Sequence, residues 1–223
     1  MVKSGVTLLF IFSFFISHAQ PDVVIFGGPQ FTSAQYKVKE VKQPTSFKPG
    51  FMAGVAMKVP FDNNIYFYPS VFYSLKGYKV TLNDPSFPPT ELAINNNTSI
   101  HTIEICPLLQ IDFSMKPTHF FMRLGPSVDF ALSGNEKFDT LDINNNPGRV
   151  SRPMIFSFAD YGRITASGNL HFGYEGGQWM VFGFYQHGIG SMNNADFGPA
   201  ILHRIAGMAF AWKLGRKSVV SSR

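Results

Sequence analysis

Eight runs of alternating apolar and polar residues constrain this chain more tightly than any other feature, lying near residues 23–34, 50–61, 65–80, 99–113, 118–132, 160–176, 178–190 and 202–214. Successive side chains of a strand point to opposite faces, so each run reads as a strand with one apolar face. The connections alternate as well. Those after the second, fourth and sixth runs are short: Asp62-Asn63-Asn64, Ser114 to Pro117, and Gly176-Gly177. Their Asn and Gly residues tolerate the positive φ that tight hairpins require. Those after the first, third, fifth and seventh runs are longer, up to the span Ser133–Ala159, and hold Asn95-Asn96-Asn97, Asn144 to Gly148 and the Pro-rich Asp84 to Pro89. An even number of antiparallel strands, with tight turns at one end and long loops at the other, predicts an all-β, eight-stranded up-and-down barrel. Its two mature termini lie on the side of the short turns.

The two faces of the runs say which side is wet. In the fourth run Ile103, Ile105, Pro107, Leu109, Ile111 and Phe113 oppose Thr102, Glu104, Cys106, Leu108, Gln110 and Asp112. In the fifth, Phe120, Met122, Leu124, Val128, Phe130 and Leu132 oppose His119, Phe121, Arg123, Gly125, Ser127, Asp129 and Ala131. A soluble lipocalin-type barrel with an apolar interior and a wet exterior gives the same alternation. Three facts favour the inverted, membrane-spanning arrangement. The polar faces are rich in Gly, Ala, Ser and Thr, which suit a crowded interior. Charged residues make up 15% of the chain, against about 25% in soluble proteins. Aromatic residues also make up 15%, with Tyr66, Tyr68, Tyr73, Trp179, Tyr185 and Trp212 near strand ends, as interfacial girdles require. The seventh run is apolar on both faces and the eighth alternates only from Ala206 onward. A bulge reconciles either, so those two registers stay open.

The N-terminus predicts export. Lys3, the apolar stretch Val6 to Ile16 and the small residues of Ser17-His18-Ala19 read as a cleaved signal peptide over residues 1–19. The barrel then occupies 20–214 and a basic tail 215–223. Cys106 is alone, so no intrachain disulfide forms. Part of the formal net charge of +5 sits in Lys37, Lys39, Lys42 and Lys48 of the first long loop and Arg216, Lys217 and Arg223 of the tail, and no compact basic patch is interleaved with stacking aromatics, which argues against nucleic acid.

An eight-stranded barrel has an interior that side chains just fill, so charges on the polar face must find partners. Glu104, Asp112, Arg123, Asp129, Arg163, His171 and Glu175 are the expected interior salt-bridge network, with Lys58, Lys76 and Lys213 on the same faces. The network either plugs the barrel or lines a narrow ion path. The histidines are scattered, with no HxH or HExxH spacing, and no nucleophile elbow or phosphate loop occurs. We therefore expect no catalytic residue, no cofactor and no metal. The long span 133–159, carrying Glu136, Lys137, Asp139, Asp142, Arg149 and Arg152 beside Met154-Ile155-Phe156, is more than a connector needs and reads as a binding surface.

Gly50 to Gly54, Pro69 to Gly77 (PSVFYSLKG), Ile103 to Leu109 and Arg123-Leu124-Gly125-Pro126 resemble, in that order, the PorT-like outer-membrane β-barrel family of Bacteroidetes, as do Asp160-Tyr161-Gly162 and the region from Tyr185 to Ile189. The resemblance implies an eight-stranded barrel in the bacterial outer membrane and carries no catalytic residues with it. Many such barrels end on an aromatic residue, whereas this chain runs eleven residues past Trp212. The expected function is a non-enzymatic structural or loop-binding barrel, its partners outer-membrane lipids and other envelope proteins. The alternatives are a component of an outer-membrane transport or secretion system, and the soluble lipocalin-like barrel.

Overall fold

The computed structural model describes residues 21–82, 92–141, 144, 146–195 and 198–214. The expected signal peptide, the basic tail and the Pro-rich Asp84 to Pro89 lie outside them. The described elements are twelve strands: β1 (Asp22–Val38), β2 (Val41–Gln43), β3 (Thr45–Ser46), β4 (Lys48–Asp62), β5 (Ile65–Thr81), β6 (Leu92–Ala93), β7 (Asn95–Asp112), β8 (Thr118–Leu141), β9 (Pro147–Pro153), β10 (Ile164–Gly176), β11 (Trp179–Gly188) and β12 (Ala200–Lys213). Eight of them pair in the order β10-β11-β12-β1-β4-β5-β7-β8, and β8 pairs back onto β10. Every neighbour is antiparallel and the ring closes, which removes the open edge that no bilayer tolerates.

Each of the eight ring strands reaches or exceeds the ~9–11 residues that cross a bilayer, β11 with 10 residues being the shortest. The outward positions form an apolar belt: Val23, Ile25 and Phe31 on β1, Phe51, Val55 and Met57 on β4, Ile105 and Leu109 on β7, Leu124, Val128 and Leu132 on β8, Leu170 and Phe172 on β10, and Met208 and Phe210 on β12 are all exposed. The inward positions bury Glu104 and Gln110 of β7, Arg123 and Ser127 of β8, and Lys76 of β5. This is a protein turned inside out relative to a soluble barrel, and it overturns the lipocalin-like alternative with its apolar interior. Aromatic rings gather at the turn end, where Phe120 stacks on Phe172 at 5.9 Å and meets Tyr174 at 5.1 Å, with Trp179 5.8 Å beyond.

The turn end is as tight as its sequence requires. Asn63 has φ 41° and Gly177 φ 77°, the left-handed conformations that Asn and Gly adopt at low cost. Gly28 serves close packing instead: a Cβ there would run into the Met208 carbonyl and Ala209 Cα of β12.

At the loop end the structure departs from expectation. The span 133–159 is no simple loop. β8 continues to Leu141, and β9 folds back on it from Asn135↔Pro153 to Leu141↔Pro147. The sixth run begins its strand at Ile164 rather than at 160. The seventh and eighth runs need no bulge, since β11 and β12 pair continuously from Trp179↔Trp212 to His187↔Arg204. Register shifts fall instead between Pro60 and Asp62 and between His101 and Thr102.

Candidate functional site: the barrel interior and its outer mouth

Three layers of side chains fill the barrel from the turn end upward. In the first, Lys58 Nζ donates to Asp112 Oδ2 at 2.7 Å and to Glu175 Oε2 at 2.8 Å, and Lys213 Nζ donates to Glu175 Oε1 at 2.6 Å. Gln110 Nε2 donates to Asp112 Oδ1 at 2.6 Å. His119 Nε2 lies 2.9 Å from Asp112 Oδ2, though outside hydrogen-bond geometry, while its Nδ1 meets the Lys116 carbonyl at 2.7 Å. Asp112, His119 and Glu175 bring three possible metal-donor atoms within 4.8 Å of one another. The Lys58 ammonium already bridges the two carboxylates, so the donor set fits an internal ion pair better than a metal.

The second layer is aromatic. Arg123 is fully buried, and its guanidinium lies 3.7 Å from the Tyr68 ring centroid and 4.2 Å from that of Phe121. Its Nε donates to Gln110 Oε1 at 2.6 Å. His171 stacks on Phe182 at 5.2 Å with the rings 8° from parallel. The third layer is polar again. Lys76 Nζ donates to Glu104 Oε1 at 2.8 Å and to Asp129 Oδ2 at 2.9 Å. Gln186 Nε2 reaches Glu104 Oε2 at 2.9 Å and Asp129 Oδ2 at 3.2 Å, and Ser167 donates to Asp129 at 3.0 Å.

Of the seven expected network residues, four carboxylates (Glu104, Asp112, Asp129 and Glu175) sit in ion pairs whose cations are lysines. Three expectations need correction. Arg123 makes no ion pair among the described residues, because aromatic rings and Gln110 surround it at its height in the barrel. His171 packs on phenylalanine rather than pairing with an acid. Arg163 is exposed, ahead of the first residue of β10, with its guanidinium 5.8 Å from the Phe156 centroid. His119 and Gln186 escaped the sequence reading. His119 shared the inward face of Arg123 in the fifth run, which was the available signal. Gln186 lay on a run whose two faces could not be told apart.

Above the third layer the loop end is filled by a second buried cluster that includes Tyr36, Tyr78, Met154, Met192 and Ile201. Glu136 of β8 is fully buried there. It accepts from Tyr161 Oη at 2.7 Å, Arg152 Nε at 2.9 Å and Asn96 Nδ2 at 3.1 Å. Burial first, then the Glu136 charge and hydrogen bond, raise the Tyr161 phenol well above its ordinary range. Tyr36, Val38, Leu82, Phe138 and Pro199 join these residues around a cavity of about 50 Å³. Outside it, Arg149 Nε donates to Asp139 Oδ1 at 2.9 Å, and Asn95 adds a second bond to the same carboxyl group at 2.7 Å. Those bonds hold Asp139 below the usual carboxylate range.

A family described as an outer membrane protein β-barrel domain matches residues 18–194. No curated protein matches the chain. Among solved structures, Neisserial surface protein A is 10% identical, with 86% of this chain and 97% of that one covered at a TM-score of 0.45. OprG from Pseudomonas aeruginosa is 12% identical, with 89% and 98% covered at 0.44. The attachment invasion locus protein Ail of Yersinia pestis is 9% identical, with 86% and 99% covered at 0.39.

Proposed function

Because the chain belongs to the outer membrane protein β-barrel domain family, and so resides in the bacterial outer membrane, we propose that it is a non-enzymatic, closed-core barrel whose working surface is its loop end. The observation that carries this reading is the contrast between the two regions. The interior is occupied by paired ions, an aromatic layer and hydrogen-bonded amides, a filling that supports a rigid, closed wall. The loop end extends past the belt as the β8–β9 hairpin and carries a cleft with aromatic, amide, acidic and basic groups, the mixture that binding surfaces use. Cys106, the sole thiol, is buried. The ordered segments quoted above support a finer placement among PorT-like barrels of Bacteroidetes.

Two measurements test the proposal. In planar bilayers the purified barrel is expected to give no unitary conductance, and regular steps would overturn the closed core. Removal of residues 142–153 is expected to leave a heat-modifiable, inserted barrel that has lost surface binding. A truncated barrel that keeps every binding and surface phenotype refutes the role given to the hairpin.

A further inference from the structure

The outer wall just above the belt carries a row of positive charge that the interior does not neutralise. Lys79 of β5, Asn97 of β7 and Lys137 of β8 stand side by side in register, Lys79↔Asn97 and Asn97↔Lys137. Lys79 and Lys137 are exposed on the outward face. Lys48, at the start of β4, reaches across to the same place. Its Nζ donates to Ser99 Oγ at 2.6 Å, Asn97 Oδ1 at 2.7 Å and the Thr98 carbonyl at 2.9 Å. Burial first, then the like charges of Lys79 and Lys137, lower the Lys48 ammonium below its ordinary range. None of the three makes an ion pair among the described residues, whereas Lys58, Lys76 and Lys213 inside the barrel are matched by acids.

The height of the patch identifies its partner. Lys48 lies three residues outward of the exposed Phe51. At ~3.4 Å per residue and a tilt near 40° this is about 8 Å beyond Phe51 along the barrel axis, and a headgroup layer is roughly 5–8 Å thick per leaflet, within the reach of a lysine side chain. Lys48, held by three hydrogen bonds, and the exposed Lys79 and Lys137 bring three ammonium groups to this face, while the nearby Asp139 carboxylate is taken up by Arg149 and Asn95, and such a group of donors suits an anion. Hydroxyl and amide groups of Ser99 and Asn97 add the neutral contacts a sugar phosphate would use.

We propose that Lys48, Lys79 and Lys137 form a binding site for the phosphorylated headgroup of an outer-leaflet glycolipid. The orientation that puts this end outside rests on the reading under Proposed function, so the test does not depend on it. Purified full-length barrel in detergent is titrated with lipid A, with the same lipid after dephosphorylation, and with inorganic pyrophosphate. Lipid A is expected to bind at least ten-fold more tightly than its dephosphorylated form, with affinity falling as salt rises. The Lys48→Gln/Lys79→Gln/Lys137→Gln variant is expected to lose that preference. Lys79→Gln/Lys137→Gln, which removes only exposed side chains, is expected to lose most of it while remaining heat-modifiable. Equal binding of the two lipids, or an undiminished preference in the double variant, overturns the site. Pyrophosphate binding as tight as lipid A overturns the lipid assignment in favour of a soluble anion. Separately, labelling of Lys137→Cys in whole cells by an impermeant maleimide reports the orientation, and its failure would refute the outward placement alone.

Discussion

Replacing Lys76 by methionine removes one cation from two acids at once. Lys76, Glu104 and Asp129 are each at most 3% exposed, and the ammonium lies 2.8 and 2.9 Å from the two carboxylates. In the variant, Glu104 and Asp129 keep only the Gln186 amide and the hydroxyls of Ser167 and Thr102. Deleting one partner of a buried ion pair costs about 3–5 kcal/mol, because a charge is left without compensation. Two acids sharing one lysine place this case at the upper end. Against a total stability on the order of 5–15 kcal/mol, that is a third or more of the whole. The assay is urea unfolding of barrel folded into lipid vesicles, followed by tryptophan fluorescence and by the gel-mobility difference between folded and boiled protein. Lys76→Met is expected to lower the midpoint strongly without changing the slope. Adding Glu104→Gln and Asp129→Asn to it is expected to recover most of the loss, since the amides need no counter-charge. A loss below about 1 kcal/mol, or a triple variant no better than the single, would refute the claim that this ion triad is desolvated and holds the wall.

Four further outcomes follow from the geometry. Arg123→Lys is expected to cost about 1–3 kcal/mol in the same unfolding assay, because a point charge loses both the flat contact with Tyr68 and the bond to Gln110. Tyr161→Phe removes a hydrogen bond to the buried Glu136 carboxylate and is expected to speed proteolysis at residues 154–163, by an amount equivalent to roughly 1.5–3 kcal/mol. The depressed Asp139 carboxyl contributes to pairing of β8 with β9 above the ordinary aspartate range. That contribution is lost as pH falls through its lowered value, so cleavage of the hairpin is expected to rise below about pH 4 in wild type and not in Asp139→Asn. Lys39 and Glu40 turn the chain between β1 and β2 with φ 47° and 66°, so Glu40→Gly is expected to stabilise by up to about 1 kcal/mol, read as a rise in the midpoint.

Much of the wall was legible in the sequence because inside and outside differ in chemistry at every second residue. The fourth and fifth runs gave strands, faces and acids together. Depth was not legible. Arg123 lies on the face assigned to it, but whether a carboxylate or a ring stands opposite depends on how far each strand is staggered around the ring, and that stagger is a property of the closed barrel. The same ring of aromatics explains why the seventh run looked apolar on both sides: Met180, Phe182 and Phe184 point inward to pack around Arg123 and His171. The continuation of β8 from Ser133 to Leu141 was hidden because it lies above the belt, where neither face needs to be apolar. Glu136, buried at its centre, reads in sequence as a loop charge.

The seam between β1 and β12 has a consequence for how such a protein comes into being. It joins Val24 to Lys213 and Lys37 to Ala200, so β1 waits for β12 before its outer row of amides and carbonyls is satisfied. Until then every partial sheet has two bare edges, and in hydrocarbon each unpaired group costs several kcal/mol. No subset of these strands can therefore rest stably in the bilayer, and insertion and closure are one event. Contacts of such sequence separation also make that event slow. The nascent chain must consequently be kept from aggregating until the residues near Trp212 have been delivered, which makes the C-terminal strand the timer of the whole process.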